Sequence, residues 1–197
     1  MKKFAVITSG KSRGSNFEAI MKKIKESGAK ADCEFVVITK KSAPIKEKCE
    51  FWKVPYKFIS ARNLSEFEDN LLEEIKKNKI DLVVLAGFMK KISAKFIERA
   101  KVPVINIHPA LLPAYGGKGM FGSAVHKAVF EAGEKISGVT VHYINENYDE
   151  GAIIKQKETD ISDCSSAEEI AAKVLKLEHS VYGEVIIDLL KEDSHHE

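Results

Sequence analysis

Two polar side chains, Asn106 and His108, stand inside the apolar run Val104-Ile105-Asn106-Ile107-His108-Pro109. A spacing of two puts both on one face of a strand. The proline after them ends that strand, so the pair falls at its carboxyl end, where open α/β sheets build their sites. A third group comes from Tyr143-Ile144-Asn145-Glu146-Asn147-Tyr148-Asp149-Glu150-Gly151, an acidic loop between two strand-like segments that can bring a carboxylate to the imidazole. Carboxamide, imidazole and carboxylate together suit acyl transfer. The amide N–H stabilises an oxyanion, the imidazole moves a proton or shares the oxyanion, and the carboxylate orients the ring and favours its charged form. A histidine hydrogen-bonded in a core is the commoner reason for such a residue; the acidic loop is what favours catalysis.

Two further segments offer binding groups. Ser9-Gly10-Lys11-Ser12-Arg13-Gly14-Ser15-Asn16 follows the first strand and opens the first helix, so its backbone N–H groups and the positive helix end could hold an anion. An ordinary tight turn explains it equally well, because the glycine spacing is neither the dinucleotide fingerprint nor a P-loop. Leu85-Ala86-Gly87-Phe88-Met89-Lys90-Lys91-Ile92 ends a strand in glycine and then presents large apolar side chains. It reads either as a slot for a flat heteroaromatic ligand or as a core strand running into its helix.

The elements that must position these groups alternate. Phe4 to Thr8, Phe35 to Thr39, Tyr56 to Ile59, Leu82 to Ala86 and Val104 to Ile107 read as buried parallel strands. Ser15 with Glu18, and Ser65 with Glu68, have capping-box spacing, which predicts helices over about Asn16 to Lys25 and Glu66 to Asn78. The second half changes character: a helix near Ser123 to Ala132, then Val139 to Tyr143 and Ala152 to Lys157 as antiparallel strands around the acidic loop. Ser165 with Glu168 caps a long last helix reaching about Leu190. The fold class is therefore α/β: a Rossmann-like, mostly parallel sheet with flanking helices and an antiparallel C-terminal strand pair.

With 197 residues and no linker or repeat, one domain over 1–197 is expected, a nucleotide-binding half over 1–110 and a completing half over 111–197. Lys plus Arg at 31 against Asp plus Glu at 29 gives +2 with the signs interspersed, which is not a nucleic-acid footprint. No run is long enough to span a membrane, and the start lacks the apolar core of a signal peptide. Cys33, Cys49 and Cys164 form neither a CxxC pair nor an even framework. Reduced thiols and a cytoplasmic location follow as expectations. The six histidines show no HxH or HExxH spacing, the terminal His195-His196 reads as a solvated tail, and no metal is expected.

Taken in order, the Ser9 to Asn16 loop, Val84-Leu85-Ala86-Gly87-Phe88-Met89, Asn106-Ile107-His108-Pro109-Ala110-Leu111-Leu112-Pro113-Ala114-Tyr115-Gly116-Gly117-Lys118-Gly119 and the segment Thr140 to Ile154 resemble the folate-dependent formyltransferases, on their purine-biosynthetic branch. The resemblance spans nearly the whole chain. It implies a formyltransferase fold and transfer of the formyl group of 10-formyltetrahydrofolate, a co-substrate, to the amine of 5-phosphoribosylglycinamide. It implies Asn106, His108 and Asp149 as the catalytic trio. Gly14, Ser15 and Asn16 would hold the ribosyl phosphate, with Pro109 along the cleft and Glu178 at the ribose. Leu85, Met89, Lys90, Lys91, Ile92 and Val104 would surround the folate, with Asn106, Tyr148 and Asp149. Small-molecule substrates, a monomer or homodimer, and neither nucleic acid nor membrane as partner complete the expectation.

The chain departs from the family pattern in four places. Lys11-Ser12-Arg13 lengthens the first loop, Leu64 and Leu175 stand where polar contacts are usual, and Asp149-Glu150-Gly151 replaces D-G-G. A methionyl-tRNA formyltransferase, expected to carry a nucleic-acid-binding extension after the last helix, and a formyltetrahydrofolate deformylase, expected to carry a regulatory segment before the first strand, are the less favoured expectations. A sugar-nucleotide N-formyltransferase stays open as the alternative. So does a non-catalytic nucleotide-binding module, which leaves the trio unexplained.

Overall fold

The computed structural model describes residues 1–10, 13–147 and 149–192. Its strands are β1 (Lys2–Thr8), β2 (Ala31–Ile38), β3 (Tyr56–Phe58), β4 (Leu82–Leu85), β5 (Val104–His108), β6 (Ile136–Tyr143) and β7 (Ile153–Asp160). They form one sheet in the order β3-β2-β1-β4-β5-β6-β7. The pairings among the first five are parallel, and β6 runs antiparallel to both β5 and β7. That matches the mixed sheet read from the sequence. It also sets a register no sequence pattern carried: Asn106 lies opposite His142, and His108 opposite Thr140.

Among the described residues six helices cover the sheet: α1 (Ser15–Ser27), α2 (Lys46–Trp52), α3 (Leu64–Asn78), α4 (Ala94–Ala100), α5 (Ser123–Glu131) and α6 (Ala167–Glu192). Period-two alternation divides their burden. Phe4, Val6, Val36, Ile38, Val84 and Ile105 face one cluster with Phe17 and Ile20 of α1, Val129 of α5 and Val174, Val181 and Tyr182 of α6. Ala5, Ile7, Phe35, Val37, Val83 and Leu85 face the other, with Phe67 and Leu71 of α3 and Phe96 of α4. Strands buried on both faces explain the continuous apolar runs. Tyr182, 1% exposed, crosses beneath the strand ends: its hydroxyl donates to the Leu85 carbonyl at 2.7 Å and lies 3.3 Å from that of Ile105. The last helix thereby ties the end of β4 to the second residue of β5.

The helix starts correct the sequence reading. α1 begins at Ser15, not after it, because Gly14 takes the cap position at φ 74° and makes no side-chain cap bond. A β-carbon at Gly14 would run into Ile45, so both the backbone angle and the space demand glycine. Glu18, expected to close the box, pairs with Lys48 of α2 instead. α3 is capped by Asn63, whose side chain accepts from the Glu66 N–H at 3.3 Å, which leaves Ser65 and Glu68 inside the helix. The α6 box sits one residue later than expected: Ser166 Oγ accepts from Glu169 N–H at 3.2 Å, and the Glu169 carboxylate accepts from Ser165 N–H at 2.7 Å. The seven-residue helices α2 and α4 were given no bounds from the sequence. They are too short to show two full turns of apolar repeat.

Candidate active site

In the order β2-β1-β4-β5 the chain reverses direction of travel across the sheet between β1 and β4. A crevice at the carboxyl ends of the strands follows from that reversal. A cleft of about 680 Å³ opens there, lined by Ser9 after β1, by Gly87 to Ile92 after β4, and by Asn106 to Pro109 at the end of β5. Asp149 enters it from the β6–β7 loop and Glu178 from α6. The trio thus faces one space with Asn16 and Glu178, the residues expected at the ribonucleotide.

The trio is tied together through two residues the sequence reading did not single out as functional, His142 and Tyr115. His108, 3% exposed, places Nε2 at 2.8 Å from the Tyr115 carbonyl. A carbonyl only accepts, so Nε2 carries the proton. The other nitrogen, Nδ1, lies 3.6 Å from Asp149 Oδ2. Asp149 Oδ2 also accepts from the Gly117 N–H at 3.0 Å, and Oδ1 lies 3.7 Å from His142 Nε2. His142 is fully buried, and burial pushes its imidazole below the usual range against the opposing pull of the Tyr143 carbonyl and Asp149. Nδ1 of that neutral ring is 3.0 Å from the Tyr143 carbonyl and Nε2 is 3.3 Å from Asn106 Nδ2. The proton therefore sits on Nδ1, and Nε2 accepts from Asn106. One N–H of the Asn106 amide is spent on orientation. The other remains for a ligand oxygen.

A buried network sets the loop that carries Tyr115 and Gly117. Thr140 Oγ1 donates to the Ala110 carbonyl at 2.7 Å and accepts from Leu112 N–H at 3.0 Å and from Gln156 Nε2 at 2.9 Å. Asp149 holds φ 56°, the left-handed region that aspartate tolerates better than most residues. The glycine the turn needs is Gly151, where a β-carbon would collide with the Tyr143 carbonyl. Glu150 is exposed, which is why D-E-G serves in place of D-G-G.

On one wall of the cleft, Asn16 Nδ2 donates to Glu178 Oε2 at 2.6 Å. Burial raises the Glu178 carboxyl to about 7 against that hydrogen bond. Asn16 Oδ1 is buried with no hydrogen-bond partner, an acceptor waiting for a donor. Pro109 lines the cleft; Gly14 and Ser15 do not, and shape the turn beneath it. Lys11 and Ser12 lie outside the described residues.

On the other side, Leu85, Met89, Lys90, Lys91 and Ile92 line the cleft, with Phe88 between them. Val104, expected there, is a correction: it is 3% exposed and packs in the α3–α4 core. It starts β5, two residues below Asn106. Tyr148, also expected at the folate, and the tail His195-His196 lie outside the described residues. Leu64 packs against the α3–α4 core, and Leu175 is 37% exposed off the cleft wall. Lys118 and Phe121 of the glycine-rich loop also line the cleft, and the sequence reading assigned neither. Among the described residues no group of three or more His, Cys, Asp or Glu is placed to hold a metal ion. No helix among them is long and apolar enough to cross a membrane.

The formyl transferase family profile matches residues 2–186. The chain belongs to that family. It is 39% identical over 193 residues to a phosphoribosylglycinamide formyltransferase of Bacillus subtilis, covering 96% of this chain and 95% of that one. A solved glycinamide ribonucleotide transformylase of Geobacillus kaustophilus superposes with a TM-score of 0.86 at 32% identity, covering 96% of this chain and 99% of the other. That of Symbiobacterium toebii gives 0.87 at 26% identity, covering 98% and 89%. For this formyl transferase the antiparallel register explains why His142 escaped notice: in sequence it is one polar residue in an alternating strand.

Proposed function

We propose that the chain transfers the formyl group of 10-formyltetrahydrofolate to the amine of 5-phosphoribosylglycinamide. One observation carries the reading: Asn106, His108 and Asp149 meet in a cleft whose one wall is polar and holds an unpartnered acceptor, Asn16 Oδ1, and whose other wall sets Leu85, Phe88, Met89 and Ile92 beside Lys90 and Lys91. Asn16 and Glu178 suit the hydroxyls of a ribose, and the Gly14 turn with the α1 start suits its phosphate. The apolar slot Leu85, Phe88 and Ile92 suits a flat pterin ring.

The chemistry follows from the residues. Holding the amine and the formyl carbon within about 3–3.5 Å removes most of the entropic barrier. As the new C–N bond forms, the formyl oxygen gains charge, and the free Asn106 N–H is placed to donate to it. His108, with Nε2–H committed to Tyr115, can act only through Nδ1, beside Asp149. When protonated there, it donates a charge-assisted hydrogen bond to the oxyanion. Asp149 takes the proton leaving the amine and returns it, through water or His108, to the folate nitrogen as the old C–N bond breaks.

Mixing the purified chain with 10-formyltetrahydrofolate and either 5-phosphoribosylglycinamide or an amino-sugar nucleotide, and following folate absorbance, tests the proposal. Rapid turnover with the ribonucleotide is expected. Turnover only with the sugar nucleotide supports the alternative acceptor, and none with either ends the proposal.

A further inference from the structure

We infer that Glu68 is a positioning residue for the folate-side wall of the cleft, acting through Ser93. The inference rests on the folate reading above. Glu68 is a carboxylate on α3, 7% exposed, with the spacing from Ser65 that suggested it would cap its own helix. It caps another. Oε1 accepts from the Ser93 backbone N–H at 2.7 Å, and Oε2 accepts from the Ser93 hydroxyl at 2.5 Å. Ser93 is in turn the N-cap of α4, its Oγ accepting from Phe96 N–H at 3.1 Å. In a capping box the helix's own third residue supplies the reciprocal acceptor. Here that residue is Phe96, which has none, and Glu68 supplies it from a neighbouring helix.

What this holds is the segment between β4 and α4. Residues 87–92 belong to no helix or strand, and all six line the cleft. They are tied to α3 and the turn before it at three points. Phe88 stacks on Phe67 with ring centroids 5.3 Å apart and planes at 15°. Lys90 Nζ donates to the Ala61 carbonyl. Glu68 grips Ser93 at the far end, Oε1 taking its backbone N–H and Oε2 its hydroxyl, and of these three anchors it alone sets a charged acceptor on a backbone N–H. A buried carboxylate is costly to keep unless its hydrogen bonds are made. That cost fixes Ser93 in one place, and with it Ile92 and Lys91. The ribonucleotide anchors Asn16 and Glu178 and the trio take no support from this contact.

Glu68→Ala and Ser93→Ala, each measured for steady-state kinetics and for tetrahydrofolate affinity by calorimetry, test the inference. Each is expected to raise KM for the folate and the tetrahydrofolate Kd about tenfold, the scale of a lost charge-assisted hydrogen bond, with KM for the ribonucleotide and kcat within about twofold. The double variant should lose no more than the worse single one, because both break one contact. Hydrogen exchange of the 87–93 amides should quicken in both variants while the amides of 13–20 keep wild-type rates. Equal changes in both KM values, or unchanged folate affinity in variants whose 87–93 amides exchange faster, overturn it. If Glu68→Ala does not fold, Ser93→Ala alone decides by the same split. Wild-type protein that neither binds tetrahydrofolate nor turns over defeats the functional reading, whereas wild-type turnover with unaltered variants defeats only this inference.

Discussion

Glu178→Gln should stabilise the free protein at alkaline pH while weakening its ribonucleotide site. The Glu178 carboxyl is raised from 4.5 to about 7 by burial. A difference of about 2.5 pK units corresponds to roughly 3 kcal/mol at about 1.36 kcal/mol per unit. Glu178 is only half-buried and lines an open cleft, so solvent screening reduces this, and about 1–2 kcal/mol is the working figure. The sign follows from the folded protein binding its proton more tightly than the unfolded chain. Stability is whole below about 4.5, falls as pH rises towards 7, and stays reduced above it. Glutamine keeps an oxygen for Asn16 Nδ2 and cannot ionise. Thermal melts at pH 8 should therefore show the variant higher by roughly 2–8 °C, the difference shrinking towards zero near pH 4.5. In the same protein, KM for 5-phosphoribosylglycinamide should rise about tenfold above pH 7, since a ribose hydroxyl donates more strongly to a carboxylate than to an amide. An equal or lower melting temperature at pH 8 refutes the idea that ionised Glu178 is held at a cost. A change in folate KM instead misplaces the helix.

Asn106→Ala should lower kcat by about a hundredfold, the scale of one lost oxyanion donor, with the melting temperature little changed; near-wild-type turnover removes Asn106 from the chemistry. Asp149→Asn keeps the shape but removes the charge between His108 and His142, and should cost roughly a hundredfold in turnover that acidic buffer restores only in part. A fully active variant excludes Asp149 as the proton carrier. The dephosphorylated glycinamide nucleoside should compete at least a hundredfold more weakly than the ribonucleotide if the start of α1 holds phosphate, since an anion at a helix end combines N–H donors with the dipole; equal inhibition leaves Gly14 as a turn and nothing more.

The sheet was legible because both halves obey simple periods. Residues 4–7, 35–38 and 82–86 are apolar throughout, and 104–107 are so but for Asn106, because the strands there are covered on both faces, and the switch to alternation at 139–143 marks the antiparallel half. Helix starts were less legible. A Ser-x-x-Glu spacing states that a box can form, but Glu18 found Lys48 and Glu68 found Ser93, partners 30 and 25 residues away. Glu68 is buried, where a tertiary hydrogen bond is worth more than a local one, whereas Glu18 is exposed and takes an opposite charge instead.

The same distinction separates the parts of the site. Asn106 and His108 were readable because two residues on one strand face must sit together whatever the rest of the chain does. Val104 has the same parity and failed, because face alone does not give height along a strand: it pairs with Val83 at the strand's start, two residues below Asn106. His142 and Thr140 depend on which residue of β6 meets which residue of β5, and that register is fixed by the loops at either end. Those loops bind the two ionisable groups as a unit: Tyr115 takes the His108 proton donor, and Gly117 donates to Asp149. The opposite wall hangs from α3 through Glu68. Because the frame around Asn106, His108 and Asp149 and the 87–92 wall have separate supports, the proposed roles predict that a defect in the first reaches kcat and a defect in the second KM for the folate.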